Sequence, residues 1–450
     1  MNTTLQNIPS PLEQLQFLIQ ALNTPGAWVA MGALLVLLVC LIIWPKWKWG
    51  VISLLIYVAS LGFFIQPWFK TRFIAPLEVM RSHGRAISIG LLIVLLIPAF
   101  QSRRGWRRCL ILGGTLLFFL FELTYVGRAL AGGLYGRGMG GIFIYSLTML
   151  VLGMGLSKWL QDWDDVYRAV VCMAGVGVIF SIATICQLAV NPSGIIWQNR
   201  LAATGSTATL CAELIVLALL PTSILIVHPR TGKTGRIFWS ALTGLLIVFL
   251  IWTGTRNGLL MAVVGLGLIF RGRLKQFTWF AIAAVFFYVI AVSVYQSSTL
   301  TAGRLFSTLD NRSYAWSNTW KRFVANPLVG DIRDASVVEN SYIAVAANLG
   351  LIGLVPLALF IFLTSLAILR IQKLKNRFGN EAIIADLVAG GLAAIAVGAI
   401  FDGYLLGMLN APVFCIYIYL AIATFLLDIV QVNASLDAET YELRTAAEAY

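Results

Sequence analysis

The sequence predicts an all-α fold: a polytopic membrane helical bundle of about 12–13 transmembrane helices, with a long periplasmic loop containing short amphipathic helices. Three observations predict it. The chain has 450 residues, 59% hydrophobic and only 11% charged, with a mean hydropathy of +0.87, whereas a soluble domain carries roughly a quarter charged residues. Apolar runs near the roughly 20 residues needed to span a bilayer recur along the chain. Alternating segments of about 10 residues, the mark of a transmembrane β-barrel, are not visible.

In order, the apolar runs fall at about 27–44, 49–67, 86–101, 108–127, 140–160, 167–190, 207–228, 238–253, 255–270, 276–296, 342–369, 384–406 and 410–430. The third and ninth are short, and 255–270 is close to a re-entrant length. No internal repeat or domain boundary interrupts them. The chain reads as one membrane-embedded bundle, 1–432, followed by a polar cytoplasmic tail, 433–450, that carries Asp437, Glu439, Glu442 and Glu448.

Basic residues orient the bundle. With the N-terminus outside, the cytoplasmic loops hold Lys46 and Lys48, Arg103, Arg104, Arg107 and Arg108, Lys158 and Arg168, Arg230, Lys233 and Arg236, Arg271, Arg273 and Lys275, then Arg370, Lys373, Lys375 and Arg377. The long loop, 297–341, falls outside. It carries Arg304, Arg312, Lys321, Arg322 and Arg333 against the short-loop preference, so these residues call for another reason. Residues 1–26 lack a basic n-region, so no cleavable signal peptide is expected. The net charge of +13 is scattered through loops on both faces, as topology demands, and does not point to nucleic acid. Cys40, Cys109, Cys172, Cys186, Cys211 and Cys415 lie in or at the edge of apolar spans, which disfavours disulfides and metal sites.

Four outer segments carry chemistry in principle. Asn199-Arg200-Leu201 with Thr204-Gly205-Ser206 offers a guanidinium, hydroxyls and a flexible turn; the plainer reading is an arginine snorkelling to headgroups. Thr253-Gly254-Thr255-Arg256-Asn257-Gly258 is a hairpin tip whose arginine can donate two parallel hydrogen bonds to a phosphate, although a turn alone needs only the Gly and Asn. In the long loop, Ser313 is placed to cap a helix running to about Ala325, stopped by Pro327. Trp316, Trp320 and Phe323 fall on one face of it, the pattern of an interfacial helix. The fourth segment, Glu339-Asn340-Ser341-Tyr342, sets polar side chains directly before a long apolar span. Asp331, Asp334 and Glu339 could alternatively hold a divalent cation. Glu122, Glu213 and Asp402 lie within or at the outer ends of spans, where charge is costly and is usually functional or paired. Arg128 or another outer arginine is the expected partner of Glu122.

Taken in order, these segments resemble the O-antigen ligase and polymerase superfamily, the integral-membrane glycosyltransferases of bacterial surface polysaccharides. The resemblance covers 195–430. Arg200 with Thr204-Gly205 is similar to the arginine before a Gly-Thr turn. Thr255-Arg256-Asn257-Gly258 resembles a Ser-Arg-Gly hairpin, and Arg312 to Trp320 followed by Asn326-Pro327-Leu328-Val329-Gly330 resembles an Arg…Trp…Pro-x-x-Gly loop. Glu339-Asn340-Ser341-Tyr342 with Leu349-Gly350-Leu351-Ile352-Gly353 resembles a His-Asn-x-Tyr…Gly-Leu-Ile-Gly segment. Glu339 stands where the ligases have histidine. The chain's two histidines, His83 and His228, match no motif position, which tilts the reading toward a polymerase.

The resemblance implies transfer of a glycan from an undecaprenyl-diphosphate carrier to a sugar hydroxyl, at the outer face of a bacterial inner membrane. It casts Arg200, Arg256 and Arg312 as diphosphate ligands, Glu339 as general base, and Asn340, Tyr342 and Asp402 as substrate-binding residues, with no metal and no cofactor. Implied partners are the lipid-linked glycan and membrane lipids, with room for a chain-length-regulating membrane protein. A ligase acting on lipid A core or on protein is the nearest alternative. A lipid-linked glycan flippase, the third class, should show internal repeats and charges spread through the midplane, and neither is visible.

Overall fold

The computed structural model describes residues 47–61, 74–101, 114–192, 195–197, 200–203, 207–272, 312–332 and 340–448. Within them the chain is almost wholly helical. The helices are α1 (Lys48–Ser60), α2 (Ala75–Ser82), α3 (Gly84–Gln101), α4 (Thr115–Ala131), α5 (Tyr135–Trp159, with a π-helical stretch Met149–Gly155) and α6 (Trp163–Val190). A two-residue antiparallel ladder follows, β1 (Ile196–Trp197) with β2 (Arg200–Leu201). Then come α7 (Ala208–Val227), α8 (Lys233–Thr253), α9 (Arg256–Phe270), α10 (Arg312–Ala325), α11 (Ser341–Leu374), α12 (Ala382–Phe401) and α13 (Ala411–Glu448). Six apolar helical runs among the described residues are long enough to cross a membrane. The longest, Ser341–Phe401, folds back on itself as α11 and α12. This is a membrane-embedded helical protein. The expected spans at 27–44 and 276–296 lie outside the described residues.

Helix starts follow local chemistry. The Asp162 side chain accepts from Asp165 N (2.8 Å), Thr207 from Leu210 N (3.2 Å) and Asn340 from Ile343 N (2.9 Å), each satisfying a first-turn amide that has no partner inside the helix. Gly254, at φ 58°, closes α8 in the left-handed region and turns the chain straight into α9. α10 ends at Ala325 before Pro327, as expected, but it begins at Arg312. Ser313 therefore sits inside its first turn and is not the cap.

α7 and α13 are buried along most of their apolar length and form the centre of the bundle. α9 lies close along α12 because small residues line the crossing: a Cβ on Gly390 would stand 2.6 Å from the Gly265 carbonyl oxygen. Close backbone approach of this kind is how helices associate in lipid, where apolar side chains gain little by meeting one another. At one end of the bundle, His228 Nε2 meets Glu381 Oε2 (2.8 Å), Arg230 Nε donates to Glu381 Oε1 (2.7 Å), and Arg230 also pairs with Asp164. Burial pushes the Glu381 carboxyl up, but the hydrogen bonds and charges of His228 and Arg230 outweigh it and hold the group below its usual range. α13 continues as helix beyond its apolar part to Glu448, so the polar tail prolongs the last span.

At the opposite end the chain makes a backbone clasp. α11 is broken at Gly350 (φ 61°, ψ −155°), and the segment after α10 lies against the break. Asp331 N donates to Ala347 O (2.7 Å), Leu351 N to Pro327 O (2.8 Å) and Ile352 N to Leu328 O (3.2 Å). Arg322 Nη2 holds Asp331 O (2.9 Å) and Asn348 Oδ1 (3.2 Å), while Arg128 Nη2 reaches Gly330 O (3.2 Å). A Cβ on Gly350 would come within 2.5 Å of the Leu328 carbonyl carbon and oxygen. Gly350→Ala is therefore expected to cost about 1–3 kcal/mol for overpacking, beyond the roughly 1–3 kcal/mol of holding an alanine at positive φ with extended ψ, a conformation close to glycine-only. Gly379→Ala isolates the second contribution, since Gly379 has φ 55° and open space around it. Thermal unfolding of both variants in detergent checks this, and equal losses would remove the clasp as the cause.

Candidate functional site

Arg200 is held by the hairpin tip that it faces. Its Nε donates to Thr253 O (2.7 Å) and its Nη2 to Thr255 Oγ1 (3.0 Å), and Thr255 Oγ1 in turn donates to Ala208 O (3.2 Å). The guanidinium thus ties the β1–β2 ladder to the α8–α9 turn and to the start of α7. Arg256 follows as the first residue of α9 and is exposed. Arg200 thus bonds the residue directly before Arg256. A helix N-terminus adds partial positive charge beside Arg256.

The next residue, Asn257, is buried, and its Nδ2 donates to Glu213 Oε1 on α7 (3.3 Å). Glu213 also faces the carboxyl of Asp402. Asp402 caps the end of α12, where its Oδ1 accepts from Gly403 N (2.7 Å) and its backbone oxygen accepts from Ser341 Oγ (2.6 Å). Ser341 Oγ accepts in addition from Leu405 N (3.1 Å). The start of α11 is thereby fixed to the end of α12. Asn340 is the cap of α11, and the Tyr342 hydroxyl donates to Ala396 O on α12 (2.9 Å). Both side chains spend a hydrogen bond on the protein's own backbone at this junction.

Arg312 opens α10 with its guanidinium carbon 5.8 Å from the centre of the Phe401 ring, a cation–π distance. Trp316 lies against the same ring, with centroids 6.4 Å apart. The aromatic face expected along α10 is divided: Trp316 packs toward α12, whereas Trp320 is half-exposed and meets Phe323 in a tilted contact with centroids 5.0 Å apart.

One end of the bundle therefore gathers Arg200, Arg256, Arg312, Asn340, Tyr342 and Asp402. Glu339 lies outside the described residues, immediately before the Asn340 cap. Of the acidic set Asp331, Asp334 and Glu339, only Asp331 is described. Such an end presents guanidinium groups, that of Arg200 held by two hydrogen bonds, beside hydroxyl, amide and carboxyl groups, which suits a polyanionic ligand that also carries hydroxyls. Sequence reasoning passed over Ser341 as a fastening residue; the available signal was a serine between a helix-capping asparagine and a long apolar run. Glu122 is also differently partnered. Tyr417 donates to its Oε2 (2.6 Å), and Arg128 is engaged at the clasp instead.

No protein-family model matches the chain, and no curated protein matches it.

Proposed function

We propose that the chain is an integral-membrane glycosyltransferase. In this reading it polymerises a bacterial surface polysaccharide, passing glycan from an undecaprenyl-diphosphate carrier to a sugar hydroxyl on the periplasmic side of the inner membrane. The observation that carries the reading is the gathering of Arg200, Arg256 and Arg312 at the end of the bundle that also holds Asn340, Tyr342 and Asp402. A diphosphate leaves readily once its developing charge is met by donors already in place. Arginine suits that task because it stays protonated and donates in a planar fork. The acceptor hydroxyl must lose its proton as it attacks, and Glu339, beside the Asn340 cap, is the base.

The balance of the step is simple. The hydroxyl oxygen bonds to the anomeric carbon, the bond from that carbon to the diphosphate breaks, the diphosphate leaves with the electron pair, and the hydroxyl proton passes to Glu339. The deciding assay supplies the purified protein with lipid-linked repeat units alone. A ladder of lengthening products without added lipid A core is the expected result. Products that appear only when lipid A core or an acceptor protein is supplied would replace the polymerase with a ligase.

A further inference from the structure

Glu213 is a buried carboxyl inside a membrane span, 1% exposed, where charge is costly and rarely idle. The scheme above gives it no role. Its position is unusual, because it joins two pieces of the site that are otherwise carried by different helices. Through Oε1 it accepts from Asn257, the residue after Arg256 in the first turn of α9. On its other side it faces Asp402, the residue after Phe401, whose ring lies under Arg312. Its Oε2 and the Asn257 Oδ1 are both sheltered and find no hydrogen-bond partner among the described residues. A buried oxygen is rarely left without a partner, and a proton on Glu213 Oε2 directed at the Asp402 carboxyl gives it one.

We propose that Glu213 is a positioning residue that sets the Arg256 turn of α9 against the Asp402 end of α12, and so fixes the spacing of Arg256 and Arg312. The assignment of those arginines to a diphosphate rests on the function proposed above, but the fastening does not. The three groups belong to α7, α9 and the end of α12, so one side chain registers three helices at the level where the arginines emerge. A glutamine reproduces the arrangement: its carbonyl oxygen accepts from Asn257 and its amide donates toward Asp402. A leucine fills similar volume and makes neither contact.

The test uses the full chain in lipid nanodiscs, as wild type, Glu213→Gln and Glu213→Leu. The first measurement is amide hydrogen exchange at Leu259, whose N donates to Thr255 O, and at Gly403, whose N donates to Asp402 Oδ1. Glu213→Leu should speed exchange at both, and Glu213→Gln should leave both near wild type. The second measurement is binding of undecaprenyl diphosphate itself. It should weaken by about tenfold in the leucine variant, the equivalent of roughly one buried hydrogen bond, and by less than about threefold in the glutamine variant. Wild-type exchange at both amides in a folded Glu213→Leu protein would overturn the proposal. So would a glutamine variant that loosens both amides as fully as leucine. If wild type fails to bind undecaprenyl diphosphate while the exchange pattern appears as expected, the fastening role stands and the ligand assigned to the arginines falls.

Discussion

Arg256→Ala and Arg312→Ala are each expected to lower polymer formation by about 10²–10³ or more, the usual cost of removing one donor aimed at developing charge, while the protein still inserts and folds. Neither arginine is a core residue. Arg256 is exposed at the first position of α9, and Arg312 lies across the Phe401 ring on a helix whose only fully buried side chain is Thr319. Truncation should therefore spare the bundle. Lysine should rescue poorly at both positions, because an ammonium donates as a point and lacks the planar fork. At position 312 it also forgoes stacking on the ring. Turnover of a lipid-linked repeat unit, with melting temperature measured beside it, checks both variants. Full activity in both alanine proteins would remove them from the diphosphate site. A different result is expected at Arg200, whose Nε and Nη2 hold the hairpin turn. There an alanine should loosen the turn as well as reduce binding.

Glu339→Gln should reduce turnover by about 10²–10⁴, the typical contribution of a positioned general base. The substitution keeps the size and the hydrogen-bonding oxygen of the side chain but cannot take up a proton. Binding of undecaprenyl diphosphate should survive, since the arginines hold that group. Near-normal turnover in the glutamine variant would defeat the assignment. Glu339→His is the companion experiment: activity there would show that either base serves at this position. Chelator treatment of the wild type separates a third possibility, because inhibition as deep as that of the glutamine variant would make Glu339 a metal ligand.

The parts of this architecture that depend on one stretch of sequence were legible in it. Apolar runs marked the helices. Pro327 marked the end of α10, whereas Asn340 was read only as a polar residue before a long apolar run, and its capping of α11 came from the structure. What could not be read was lateral. In lipid the outward face of a span is as apolar as its inward face, so hydrophobic periodicity does not say which face turns inward or toward which neighbour. Arg200 was visible as a lone basic residue, but its anchors at Thr253 and Thr255 lie 53 and 55 residues further along. Gly330 read as part of a turn, and Gly350 as part of a motif inside an apolar span. That each permits the backbone approach of the other's segment became evident only when both were placed. Glu213 and Asp402 were noticed as costly charges, and their juxtaposition across α7 and α12 was not.

The bond between Glu122 and Tyr417 has a consequence for how the chain is made. The two residues are 295 positions apart. Ribosomes add about 5–20 residues per second, so Glu122 is delivered roughly 15–60 s before the phenol that will serve it exists. Throughout that interval α4 must be kept in, or beside, the bilayer with an acidic side chain lacking its eventual donor. The insertion machinery, lipid headgroups or water must shelter that acid until α13 is threaded through the centre of the assembly. The last span is thus the keystone of biogenesis. A ribosome stalled before residue 417 leaves behind a nearly complete set of helices with a stranded acid among them.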